Sequence, residues 1–145
     1  MRRLASALAL GMLVAGLVAA PVLAKADKVD MPPVSWVAGL PGDGAVIFNN
    51  SSGPNNLEVT VQLKGVKADF AYDVFLFVDN AWYGAAPVAT ITTNGAGNAT
   101  FHMNAKVADG KHLLGVDITN HGSFSDQYLA PVYTGGIWGI WMTFE

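Results

Sequence analysis

The stretch LEVTVQLK, residues 57–64, alternates without a break. Leu57, Val59, Val61 and Leu63 fall on one side, and Glu58, Thr60, Gln62 and Lys64 on the other. A period of two is the signature of a β-strand with one packed face and one wet face; a helix of the same composition would wrap its apolar groups around every side. Nothing after residue 26 argues for a helix instead. That part of the chain has only two glutamates, Glu58 and Glu145, and is dominated by Gly, Asn, Thr, Val and Phe, which favour strands and turns. The expected class is all-β.

Further strands follow from the same pattern. AVIFNN at 45–50 is one. In YDVFLFVD, 72–79, Tyr72, Val74, Leu76 and Val78 share a side while Phe75 and Phe77 share the other. Apolar groups on both sides predict a central strand covered twice, or one whose outer aromatics meet a ligand or partner. ATITTNGAGNATFHM, 89–103, reads as a hairpin turned at Asn94-Gly95-Ala96-Gly97, with Ala99, Phe101 and Met103 inward and His102 outward. A turn at Asp109-Gly110 leads into KHLLGVDIT, where His112, Leu114, Val116 and Ile118 share a side. Asn120-His121-Gly122 turns again, and 123–134 reads as a loop carrying Phe124, Tyr128 and Tyr133.

The chain finishes on GGIWGIWMTFE, read as a last strand. Trp138, Ile140, Met142 and Phe144 would form its core side. Ile137 and Trp141 would face outward, with Gly139 leaving a notch between them. The total is about seven strands at spacings of 10–15 residues, the pattern of an antiparallel β-sandwich. L-K-G-V at 63–66, Y-D-V-F-L at 72–76, T-T-N-G-A-G-N-A-T-F at 92–101 and D-G-K-H-L-L-G-V at 109–116 resemble the small exported immunoglobulin-like or fibronectin-III-like domains of bacterial and archaeal surfaces. The resemblance spans residues 45–119 and implies a fold and a cell-surface setting, with no activity attached.

The start of the chain agrees with export. Arg2 and Arg3 precede an uncharged apolar stretch from Leu4 to Leu23, and small residues stand at Ala24 and Ala26. This is the pattern of a cleavable signal peptide over 1–26, with cleavage after Ala24 as the alternative site and retention as an anchor as the rival reading. Residues 27–43 hold three prolines and read as an extended leader able to form an edge strand; 44–145 is the expected sandwich domain. Without the signal, five lysines and no arginine face eleven acidic residues, a net charge near −6. That balance excludes nucleic acid, which needs cations to displace phosphate counterions, and disfavours anionic lipid. With no cysteine, stability must come from the core alone.

Chemistry is sparse. A more distant likeness is to the exported sandwiches of chordin-type repeats and copper/zinc superoxide dismutases, which rely on an H-x-H pair. This chain has none, leaving His102 and His112 as metal candidates only through cross-strand pairing, with Met103 as a copper ligand. There is no G-x-S-x-G elbow. Asp73 and Asp79 lie about 20 Å apart along one strand, too far to work as an acid–base pair. No enzyme and no cofactor are expected.

Aromatic groups are the stronger signal. Trp82 and Tyr83 follow the turn Asp79-Asn80, and Tyr128, Tyr133, Ile137 and Trp141 gather toward the C-terminus. These six are the candidate contact residues. The expected function is a secreted or cell-envelope β-sandwich that works by surface contact as a structural, adhesive or assembly subunit, either as a homo-oligomer or with a cell-surface partner. A polysaccharide-binding module is the alternative, and a copper or zinc protein the third reading. No membrane span is expected in the mature chain.

Overall fold

The computed structural model describes residues 26–31, 41–122, 127–129, 132–133 and 137–145. All of its regular elements are strands. They are β1 (Ala26–Met31), β2 (Asp43–Asn50), β3 (Leu57–Lys64), β4 (Ala71–Val78), β5 (Ala81–Trp82) and β6 (Ala89–Thr92). Then come β7 (Ala99–Ala105), β8 (Gly110–Asn120), β9 (Gln127–Leu129), β10 (Val132–Tyr133), β11 (Ile137–Trp138) and β12 (Ile140–Phe144). The signal segment and residues 32–40 of the leader lie outside the described residues.

Two antiparallel sheets face each other across one core. Sheet A has the order β1-β2-β3-β7. Sheet B runs β12-β8-β4-β5, with β9 also against β8 and β6 also against β4. The alternating residues of LEVTVQLK behave as their pattern requires: Leu57, Val59, Val61 and Leu63 are all buried, and Glu58 and Lys64 are exposed. From sheet A, Val46 and Phe48 join them; from sheet B come Tyr72, Val74, Leu76, Leu114, Val116, Ile118, Met142 and Phe144. Each such side chain, taken from water to full burial, stabilises the fold by about 1.5–3 kcal/mol, which is how a chain without disulfides holds together. β1 forms one edge of sheet A. Val29 of β1 lies opposite Val46, and Lys28 and Asp30 face outward.

The expected hairpin over 89–103 does not form. Its turn is present, with Asn94 N–H donating to the Asn98 carbonyl at 2.9 Å and Asn94 Oδ1 accepting from the N–H groups of Ala96 and Asn98. Its two arms separate, however: β6 pairs with β4 in sheet B, and β7 pairs with β3 in sheet A. The turn is a corner between sheets. It is stapled to the β3–β4 connection, where Thr93 Oγ1 donates to the Lys67 carbonyl at 2.6 Å and accepts from Phe70 N–H at 3.0 Å. Gly97 lies so close to Val66 that a Cβ would overlap the Val66 carbonyl. Turn residues and alternation are the same for a hairpin and for such a corner. Here the open edges of β3 and β4 decide which it is.

The C-terminal reading also needs correcting. The last strand is broken at Gly139, whose φ is +131°. Before it, β11 pairs with β10; after it, β12 pairs with β8, with Ile140 opposite Leu114. Gly139 itself faces no open space, because a Cβ there would strike the Leu114 carbonyl; the Ile137 side chain, the other border of the expected notch, lies outside the described residues. From Ile140 onward the expected alternation holds, with Met142 and Phe144 buried and Trp141 exposed. The segment expected as a loop over 123–134 contains β9 and β10. β8 is long enough to serve two partners along one edge: β12 takes Gly110 to Leu114, and β9 takes Asp117 to Thr119.

Candidate contact surface

The face of sheet B that points away from the core carries Asp73, Phe75 and Phe77 on β4, Leu113, Asp117 and Thr119 on β8, and Trp141 on β12. Phe75 is buried and Phe77 half-buried, as expected for a strand covered twice. Part of the cover is Trp82. After Val78 the chain reverses through Asp79 and Asn80, with φ values of 53° and 64°, the left-handed pair that a two-residue hairpin demands and that Asp and Asn tolerate. The reversal puts Trp82 opposite Phe77. The Trp82 ring lies 4.3 Å from the Phe77 ring and 4.8 Å from the Phe75 ring, yet 48% of the residue remains exposed.

Trp141 stands on the far edge of the same sheet, opposite Leu113, and is 50% exposed. Lys111 Nζ lies 5.2 Å from its ring centroid. At this edge the two sheets are tied together, because Asn50 Nδ2 at the end of β2 donates to the Thr143 carbonyl at 2.6 Å. A recess of about 160 Å³ opens there between Asn50, Trp141, Met142 and Thr143. A larger groove of about 480 Å³ crosses the outer face of sheet A over Ala45. Its rim carries Lys28 and Lys64 against Asp30 and Asp43, so its charges balance.

Tyr83, the neighbour of Trp82, has a different place. It packs against the core, and its hydroxyl accepts from Lys106 N–H at 2.9 Å and donates to the Lys106 carbonyl at 3.3 Å. It braces β5 against the β7–β8 connection. Tyr128, Tyr133 and Ile137 belong to β9, β10 and β11; their side chains lie outside the described residues.

The histidines are not brought together. His102 is on the outer face of sheet A, its Nδ1 2.9 Å from Thr60 Oγ1, whereas His112 belongs to sheet B. Among the described residues no three His, Cys, Asp or Glu side chains are grouped as a metal ion would need. His112 and His121 each have a carboxylate partner that the sequence did not signal. His112 Nδ1 is 2.6 Å from Asp79 Oδ2, and Asp79 Oδ1 accepts from Leu113 N–H at 2.9 Å. The His112 hydrogen bond holds the Asp79 carboxyl below its ordinary pKa, and Asp79 raises that of His112. Asp73 accepts from Thr90 Oγ1 at 2.6 Å and Gly122 N–H at 3.1 Å, and lies 2.8 Å from His121 Nδ1. Burial pushes the Asp73 carboxyl up, but these contacts together outweigh it and its pKa is lowered.

Two buried ties were also silent in the sequence. Asn56 donates to the Val107 carbonyl at 2.9 Å and accepts from Val107 N–H at 2.8 Å, across 51 residues. Thr93, bonded to Lys67 and Phe70, is the second. Comparison with protein-family models, with curated proteins and with solved structures found no match.

Proposed function

We propose that this chain is an exported, non-catalytic β-sandwich of the immunoglobulin-like or fibronectin-III-like kind that works by surface contact, as an adhesive or assembly subunit of the cell envelope or its surroundings. The strand order supports the fold type. With β2, β3 and β7 taken as strands A, B and E, and β4, β8 and β12 as C, F and G, the orders A-B-E and C-F-G agree with that class, while β1 is added beyond A and no D strand stands beside β7 among the described residues. The basic, apolar N-terminus supports export. The mature chain needs no cofactor for this role.

The observation that carries the reading is the placement of Trp82 and Trp141. They are the large hydrophobic side chains left exposed among the described residues, and both stand on the outer face of one sheet. Three strand spacings, about 14 Å, separate their strands, so one protein partner could cover both within an ordinary interface. Exposed tryptophan is costly to leave in water and is enriched at the centres of interfaces.

Size-exclusion chromatography with light scattering and electron microscopy test the reading. The wild-type protein should form dimers, larger oligomers or filaments, and Trp82→Ser and Trp141→Ser should weaken them while leaving the melting transition in place. A clean monomer at high concentration, bound to no envelope component, would overturn it.

A further inference from the structure

We infer that the edge of β12 carries a binding site for one neutral hexopyranose unit of a polysaccharide, built on Trp141. This rests on the reading of the Trp141 face as a contact surface, and gives Trp141 a sugar in place of the protein partner while leaving Trp82 to that partner. Four observations converge on the site. Trp141 is half exposed, so its indole can offer an apolar face to the C–H groups of a sugar ring. The recess beside it holds about 160 Å³, the scale of a single pyranose, and its wall is shared by Asn50 and Thr143. The register sets Lys111 opposite Thr143, so both lie on the C-terminal side of Trp141 along β12. Asn50 reaches that same side, because its amide donates to the Thr143 carbonyl.

An aromatic face bordered on one side by an amide, a hydroxyl and an ammonium suits a ring that is apolar on its faces and hydroxylated around its rim. Asn50 Oδ1 can accept, Lys111 Nζ can donate, and Thr143 Oγ1 can do both. The Lys111 ammonium now lies over the indole at 5.2 Å. An exposed lysine holds such a position weakly and can swing to a sugar hydroxyl. The mature chain is net acidic, which disfavours the approach of a polyanionic polymer such as a polyuronate and favours a neutral one, while the charge at the indole itself is the single Lys111 ammonium. Trp82 is different: its ring lies against the Phe77 and Phe75 rings, at 4.3 and 4.8 Å between centroids.

The test is titration of the purified exported protein with cellohexaose, laminarihexaose, chitohexaose and mannohexaose, and with hexagalacturonate as the charged arm, read by tryptophan fluorescence and calorimetry. At least one neutral oligosaccharide should bind. Trp141→Ala should weaken it at least tenfold, Trp141→Tyr only a few-fold, and Trp82→Ala not at all, each variant melting within a few degrees of wild type. Failure of all four neutral sugars, preference for hexagalacturonate, or an equal loss in Trp82→Ala would overturn the inference. Oligomeric state measured without sugar separates the two readings. Sugar binding lost with assembly unchanged in Trp141→Ala supports this site and counts against Trp141 as a subunit contact; assembly lost with no sugar binding does the reverse.

Discussion

Asp79 and His112 meet at 2.6 Å, joining the turn that carries Trp82 to the first residues of β8. The same carboxylate accepts Leu113 N–H, and Asp79 N–H donates to the Leu113 carbonyl at 2.8 Å. One residue therefore fixes the hairpin by backbone and side chain at once.

The pH dependence of this pair follows from its two shifts. Asp79 is lowered from 3.8, so its contribution is complete above that value and is lost as pH falls through the folded pKa. His112 is raised from 6.5, so its contribution is complete below that value and is lost as pH rises through the folded pKa. Both are fully present between 3.8 and 6.5. Melting temperatures of wild type and Asp79→Asn, measured across pH, should differ most in that window and converge at higher pH. A gap that widens above neutrality would contradict the pairing.

Asp73 should matter more than the histidine it touches. Its side chain is only 8% exposed, whereas that of His121 is 62% exposed. Asp73→Ala removes a buried carboxylate that takes hydrogen bonds from Thr90, Gly122 and His121 and should cost about 1–3 kcal/mol. His121→Ala should cost under about 1 kcal/mol, the usual worth of a surface pair. Urea unfolding of the two variants gives the comparison.

Gly139→Ala should be among the most damaging small substitutions in the chain. The φ of +131° disfavours any side chain, and the added Cβ meets the Leu114 carbonyl. Strain and the shift of β12 away from β8 together predict a loss of about 2–4 kcal/mol. Gly53→Ala, at φ +139° with open space around it, should cost less. Equal effects of the two would show that contact with Leu114 is not the cause.

The long-range side-chain ties can be ranked. Asn56→Ala leaves both backbone groups of Val107 without their partner in the interior, at a cost of about 1–3 kcal/mol. Tyr83→Phe removes a hydroxyl bridge at a more exposed site and should cost about 1 kcal/mol. Denaturant titration should place Asn56→Ala below Tyr83→Phe in stability.

Which side chains face the core is legible in the order of the residues. Side-chain direction in a strand is a local property with a period of two, so Leu57, Val59, Val61 and Leu63, and equally Leu114, Val116 and Ile118, declare their shared side by spacing alone. Trp82 and Trp141 are legible as contact candidates for a related reason: each falls out of phase with the core residues around it. Tyr83 is not separable from Trp82 in this way, because its hydroxyl partner lies 23 residues away at Lys106.

Sheet membership is decided only in three dimensions. β6 and β7 flank an ordinary turn, yet each leaves it for a different sheet, because the free edges of β4 and β3 offer ladders that the two arms cannot both find in each other. The pairings of Asp79 with His112 and of Asp73 with His121 likewise span 33 and 48 residues. The sequence by itself determined an all-β chain and the inner side of its main strands, since alternation is written residue by residue. Tertiary structure alone decided which strands share an edge, why Gly139 must lack a side chain, and that Trp82 and Trp141 look out from the same sheet, since these depend on what distant segments leave open.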